Sequence, residues 1–353
     1  MKKYIIIGNA QSVHVVKWVK ELVKYFDVYV ISSTTTHDDI HAIVEKKNVF
    51  DLNIPIKEDG RNTGLLKKYF VVKDIIKKTD PDFVNPHYVT SHGFLAAIIK
   101  KTSSLNFKLI QSAWGTDILV TPFKSKLYYQ ITKFCLNSAN LATSDSEYMT
   151  KVINEISPVK TSTFIFGLDS LPKIKPEDKD ENLYYSNRML SENYNIDEVI
   201  RLFKKVSDKN KNARLIVSHD GKQRKQLEEL TRELQIDDKV DFKGFVSLTE
   251  QLSFYKESQF YISIPTSDST SVSLIEAMAY GCIPIVSEIP ANKEWIKNNR
   301  NGIFYFPGIA VEEIENILKN KKQVLEENRK VVRERALFPK SIKEYIATIN
   351  QIL

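Results

Sequence analysis

At 353 residues, 42% of them hydrophobic and 27% charged, the chain has room for two domains of ordinary size with real cores. The formal charge of +7 lies wholly in residues 1–160, with 22 Lys and Arg against 15 Asp and Glu, while residues 161–353 balance at 29 each. No stretch reaches the roughly 18 apolar residues of a membrane span, and two cysteines 147 positions apart, Cys135 and Cys282, exclude a disulfide framework and read as small core residues of a cytosolic protein.

Met1-Lys2-Lys3 precedes only four apolar residues before Gly8, too few for a signal peptide, so Lys3–Ile7 is expected as a first strand. Ser12 is a candidate N-cap for a helix with Val15, Val19, Leu22 and Phe26 on one face. The turn lacks G-x-G-x-x-G, which speaks against a dinucleotide cofactor. Asp27–Ser32 is a second strand, and Thr34 to Asp39 a polar loop. His37 and His41 stand at helical spacing, but without a third ligand no metal site is expected.

A helix is expected between Leu65 and Lys78, ended by Asp80-Pro81, then a strand Phe83–Pro86 that delivers His87 and His92 to its tip. Phe107–Ser112 runs into Trp114-Gly115-Thr116-Asp117, so Asp117 sits at a strand's C-terminal end, where α/β proteins place ligand groups. It binds a ligand there or caps the next turn. Phe123 to Phe134 interleaves lysines with aromatics, which suits either a membrane-surface helix or an ordinary helix with its lysines in water. Strands are expected at Leu141–Ser144, Thr163–Phe166, Leu183–Ser186 and Ala213–Ser218, and a strand with its turn over Val240–Val246. A Pro-, Lys- and Asp-rich stretch from Leu171 to Glu181 reads as a linker.

Next comes the most informative stretch. The apolar run Phe260–Ile264 reads as a buried parallel strand, Pro265 to Ser271 as a loop of small hydroxyl residues, and Val272 to Tyr280 as a helix stopped by Gly281. Ile283–Val286 is the following strand. A helix N-terminus at the open end of a parallel sheet is a ready anion site, so the backbone N–H groups of Ser271, Val272 and Ser273 are candidates to hold a phosphate. Glu276, one turn on, lies within reach of a sugar hydroxyl attached to it. The competing reading makes Ser273-Leu-Ile-Glu276 a capping box. A strand over residues 302–307 and a last helix from Ser341 after Pro339 close the chain.

Asp268 and Glu276, with seven residues between them, followed by Ala277-Met278-Ala279-Tyr280-Gly281-Cys282-Ile283-Pro284 and then Glu294, resemble the signature of the family 4 nucleotide-sugar glycosyltransferases. The first acid of that signature is usually Glu and here is Asp268, one methylene shorter. The resemblance implies the GT-B fold: two Rossmann-like doubly wound domains facing across a cleft, at 1–170 for the acceptor and 183–338 for the nucleotide-sugar. A linker would occupy 171–182, and residues 339–353 would return to the first domain. It further implies a retaining, metal-independent glycosyl transfer with Asp268 at the transferred sugar and Glu276 at the ribose.

The family also places an Arg in the turn after the second domain's first strand, for the diphosphate; that is Arg188, whose guanidinium stays charged and offers paired N–H groups. The Lys expected about five residues on is missing, so either Lys222 serves or the helix N-terminus carries more of the task. A backbone contact from Phe245 or Val246 to the base is implied, and Gly8, Ser12, His14, His87 and Asp117 are implied to lie on the acceptor side. The Trp-Gly-x-Asp-Ile at Trp114 resembles a branch that replaces the commoner His-Asp.

The expected partners are a UDP- or GDP-sugar, a glycan or lipid-linked acceptor of cell-surface polysaccharide or glycoconjugate synthesis, and an anionic membrane surface at the basic half. Nucleic acid is not expected, since no arginine-rich stripe or RNA-binding aromatic motif is present. A cytoplasmic protein, peripheral on the inner membrane face, follows from the resemblance. An epimerase of the same fold and a non-catalytic nucleotide-sugar-binding subunit remain the alternatives.

Overall fold

The computed structural model describes residues 1–54, 63–175 and 178–353. Pro176 and Glu177, inside the expected linker, lie outside them. The chain forms two compact units, Met1–Phe164 with Ile342–Leu353, and Ile165–Ser341.

The first unit is a seven-stranded parallel sheet of β1 (Lys3–Gly8), β2 (Asp27–Ser32), β3 (Val49–Asp51), β4 (Phe83–Pro86), β5 (Lys108–Ser112), β6 (Leu141–Ser144) and β7 (Thr161–Thr163), in the order β3-β2-β1-β4-β5-β6-β7. Its central strand β1 is apolar along its length because helices cover both faces of such a sheet; Tyr4, Ile5, Ile6 and Ile7 are all fully buried. The helix Val13–Leu22 starts on Ser12, whose Oγ accepts from the His14 N–H at 3.3 Å, and it buries Val15, Val16, Trp18, Val19 and Leu22. The last helix, Phe338–Asn350, begins three residues before the sequence suggests, because Pro339 fits a first turn where no N–H is required. Its Tyr345 is buried in the first unit, the hydroxyl 2.5 Å from that of Tyr4, which in turn donates to Asn85 Oδ1 at 2.8 Å.

The second unit is a six-stranded parallel sheet of β8 (Asp180–Ser186), β9 (Arg214–Ser218), β10 (Val240–Gly244), β11 (Ser258–Ser263), β12 (Ile283–Ser287) and β13 (Ile303–Tyr305), ordered β10-β9-β8-β11-β12-β13. In each unit the chain leaves one central strand toward one edge and the next central strand toward the other. The switch points fall between β1 and β4 and between β8 and β11. There the following loops diverge and leave a crevice at the strands' C-terminal ends.

Some elements differ from the sequence reading. The single helix expected over Leu65 to Lys78 is two, Thr63–Leu66 and Tyr69–Thr79, the second closed by Asp80 in the left-handed region at φ 48°. The strand expected at Thr163–Phe166 lies two to three residues earlier, where Thr161 pairs with Ala142. Neither β3, three residues at a sheet edge, nor the charged helix Lys321–Arg335, which buries only Val324, Asn328 and Val332, has an apolar pattern long enough to announce it. Cys135 and Cys282 are free, buried thiols in different units.

Candidate active site

The second unit's switch point is built on the helix Val272–Ala279. Its N-cap is Ser271, whose Oγ accepts from the Leu274 N–H at 3.3 Å. The third helical position is therefore Leu274 and not Glu276, so the capping-box reading of Glu276 does not hold. Glu276 instead accepts from Gln251 Nε2 at 3.2 Å, from a neighbouring helix. Helix geometry leaves the first-turn amides without intrahelical partners, facing the crevice side of the sheet. The helix ends at Gly281, at φ +82°, where a side chain would also press within 2.8 Å of Leu325. Leu274, Ile275, Ala277, Met278 and Ala279 are buried, which is the structural reason the segment is small and apolar.

Across the switch point, Arg188 follows β8. Its Nη2 donates to Asp268 Oδ2 at 2.7 Å and its Nη1 to Ser271 Oγ at 2.8 Å, and its guanidinium lies 4.4 Å from the centre of the Tyr194 ring. The structure thus brings Arg188, Asp268 and Ser271 into direct contact. Asp268 also takes the Ser269 N–H on its other oxygen at 3.0 Å. Burial raises the Asp268 pKa, while Arg188 and these hydrogen bonds pull it back. Below the site, Tyr261 donates to Asn187 Oδ1 at 2.9 Å and Asn187 Nδ2 to the Tyr255 hydroxyl at 2.8 Å, a buried polar web under the Arg188 turn.

The place of the missing lysine has a structural occupation. Asn193 donates to Ser267 O at 3.0 Å and accepts from Ser267 N–H at 3.2 Å, while the Thr266 N–H bonds its backbone carbonyl at 2.7 Å. With Asn195 Nδ2 on Ile264 O at 2.9 Å, the turn after β8 is stapled to the loop after β11. Lys222 is exposed in a turn bonded to Leu190 on both sides, Leu190 N–H to Asp220 O and Gln223 N–H to Leu190 O, each at 3.2 Å. Gly221 permits that approach, since a Cβ there would stand 2.3 Å from the Leu190 carbonyl oxygen. At the ends of β9 and β10, His219 packs on Phe245 with ring centres 4.8 Å apart, and Phe245 is 75% exposed. Val246 follows it half-buried. Tyr194, Asn193 and the His219 ring were not singled out from sequence, because their relevance comes from a fold that sets them beside Arg188 and Phe245.

In the first unit, Gly8 closes β1, and a Cβ on it would touch His87 at 3.5 Å. His87 is buried, with Nε2 3.1 Å from Asn85 Oδ1. Asn85 Nδ2 donates to Ile110 O at 2.7 Å, which fixes its Oδ1 as an acceptor and places the imidazole proton on Nε2. Among the described residues, His87 Nδ1 is left as a buried lone pair without a partner. Burial, with His92 and His14 nearby, holds the His87 pKa down at about 3; burial likewise holds His92 at about 4 and lowers His14. The Trp114 ring lies 5.4 Å from that of His14 and 5.2 Å from that of His87.

Asp117 is fully buried and spends its carboxylate on backbone, accepting from Val89 N–H at 2.7 Å and Trp114 N–H at 3.0 Å. It braces the loops after β4 and β5. Burial raises its pKa to about 6 against the pull of those N–H groups. Asn in its place turns an NH₂ toward one of the two donors, so Asp117→Asn costs about 1–3 kcal/mol of stability. Because the folded carboxyl holds its proton up to about pH 6 and the unfolded one does not, this group's contribution is present below pH 4 and lost as pH rises through 6. Urea unfolding at pH 4 and pH 6.5 reads both effects, and the Asn variant lacks that part of the pH slope.

His37 is used locally, its Nδ1 accepting from the Asp39 N–H at 3.1 Å. Among the described residues no group of three or more His, Cys, Asp or Glu is placed to hold a metal ion, and no helix is long and apolar enough to cross a membrane.

Comparison with known proteins covers both units. A family model described as "Glycosyl transferases group 1" matches residues 169–336, and one described as "Glycosyl transferase 4-like" matches residues 3–146. The alpha-monoglucosyldiacylglycerol synthase of Streptococcus pneumoniae is 27% identical over 176 residues, 46% of this chain and 38% of that enzyme, so the match spans well under half of the relative's length. Among solved structures, sucrose-phosphate synthase from Thermosynechococcus elongatus superposes with a TM-score of 0.84 over 100% of this chain and 99% of that one, at 14% identity. HepE of Anabaena, in complex with UDP, superposes with a TM-score of 0.77 over 99% and 100%, at 15% identity. At such identities the likeness is one of fold.

Proposed function

The chain belongs to the family-4-type glycosyltransferases of GT-B fold, and from that premise we propose that it moves a hexose or N-acetylhexosamine from a nucleotide-sugar to a glycan or lipid-linked acceptor. The observation that carries this reading is Arg188 seated on Ser271, the N-cap of the helix whose free amides and dipole suit an anion. A diphosphate there meets a guanidinium and the Val272 and Ser273 N–H groups, and Lys222 stands in the turn that is bonded to Leu190, two residues after Arg188. Glu276 then takes the ribose hydroxyls, and Phe245 with Val246 borders the base. UDP is the favoured nucleotide, GDP the next; the HepE structure holding UDP supports the order.

Charge grows on the leaving diphosphate as the sugar gains oxocarbenium character, and Arg188 and the helix amides stabilise it where it grows. The transfer retains the anomeric configuration by same-face attack, the diphosphate oxygen taking the acceptor's proton, and the scheme runs without a metal ion. Asp268 holds a sugar hydroxyl. On the acceptor side, Gly8, Ser12 and His14 shape the β1 loop, His87 packs beneath it against Gly8, and Asp117 keeps the loops after β4 and β5 in place.

A lipid-linked acceptor is supported by the pneumococcal relative's name and by Phe123 and Leu127, 62% and 68% exposed beside Lys124 and Lys126. That arrangement suits the anionic inner face of a membrane. The test is incubation with radiolabelled UDP-sugars and vesicles of phosphatidylglycerol and diacylglycerol. Label appearing in the organic phase with an unchanged anomer supports the reading. Release of free UDP with an epimerised sugar, or binding without turnover on any acceptor, replaces it.

A further inference from the structure

We propose that Asp268 is an internal stand-in for the donor's diphosphate: it pairs with Arg188 and gives it up when a nucleoside diphosphate arrives. Phosphate binding and release of the Asp268 carboxylate toward the sugar are then one event. The inference rests on the donor reading above and adds a coupling that the reading does not contain.

Three observations carry it. Arg188 has its Nη2 on Asp268, its Nη1 on Ser271 and a ring beside it in Tyr194, so the guanidinium's two NH₂ groups are committed to partners within the protein. It is committed at the anion site itself, because Ser271 is the cap of the helix whose amides face that site. No second side chain shares the neutralisation from the position five residues on, since Asn193 is spent on the 266–267 backbone. A diphosphate and the Asp268 carboxylate therefore compete for the Arg188 guanidinium, and two anions around that group repel at low dielectric. Asp268 does not collapse when it loses: its other oxygen stays on the Ser269 N–H at 3.0 Å, which keeps the freed carboxylate in the loop. The short Asp side chain helps, because it limits how far the carboxylate can follow Arg188.

Two measurements test this. The first is calorimetric titration of wild type, Asp268→Asn and Asp268→Glu with UDP, GDP and ADP. Without the competitor, Asp268→Asn binds its preferred nucleotide roughly tenfold more tightly than wild type, while Asp268→Glu, which keeps the charge, binds like wild type. The second uses wild type alone, and so holds even where Asp268→Asn fails to fold: in its nucleotide complex the Arg188–Asp268 contact opens from 2.7 Å to beyond about 4 Å. Equal or weaker binding by a folded Asp268→Asn, or a complex with the ion pair intact, overturns the inference and leaves the donor reading standing. If no nucleotide binds either protein, the donor reading falls and the inference falls with it.

Discussion

Arg188→Ala lowers kcat/KM for transfer by about 10²–10³, the scale set by removing one preorganised donor from a developing anion. The loss falls mainly on kcat, because the diphosphate carries more charge in the transition state than in the bound donor. Arg188→Lys recovers little. An ammonium cannot place one N–H on Ser271 and another on a second acceptor in the plane that the guanidinium occupies. Stability falls too, since Asp268 is left partly buried at 19% exposure with no counter-ion. Steady-state kinetics beside a thermal melt separates the two losses: a variant that melts near wild type yet transfers sugar at wild-type rate contradicts the assignment.

Glu276→Ala shows the opposite kinetic split. A ribose held by a carboxylate is bound alike in the ground and transition states, so losing it raises the donor KM by about 10–100-fold and leaves kcat near wild type. Glu276 is half-buried and accepts the 3.2 Å bond from Gln251, so a thermal melt beside the kinetics separates a loss of stability from a loss of ribose binding. Gln251→Ala removes one hydrogen bond to the carboxylate without removing the carboxylate and gives a smaller rise. A drop in kcat with KM unchanged would move Glu276 from the ribose to the reacting sugar.

These residues differ in how far sequence alone exposes them. The helix Val272–Ala279 was legible almost to the residue, because small apolar side chains, a hydroxyl cap and a glycine stop each have a local physical cause. The parallel strands β2, β4 and β6 were legible for the same reason, as short apolar runs between turn signals. What sequence does not carry is pairing at a distance. Arg188 and Asp268 are 80 residues apart, each a sensible ligand group alone, and only the β8–β11 adjacency makes them partners. Asn193 reads as the absence of a lysine until its two bonds to Ser267 show it as a staple. Asp117 reads equally as ligand or cap until both its oxygens are found on backbone. The exposed ring of Phe245 is likewise an ordinary turn residue until His219 is seen to pack on it.

The central claim is that the β8–β11 switch point binds a nucleoside diphosphate. The direct measurement is a thermal-shift panel on the wild-type protein with UDP, GDP, ADP and CMP and their sugar conjugates. A ligand that binds only the folded state at a hundredfold over its Kd adds about 2.7 kcal/mol, a shift of several degrees. The account predicts one nucleotide series that shifts the protein, with the diphosphate well ahead of its monophosphate. A flat panel, or a monophosphate as effective as the diphosphate, contradicts it.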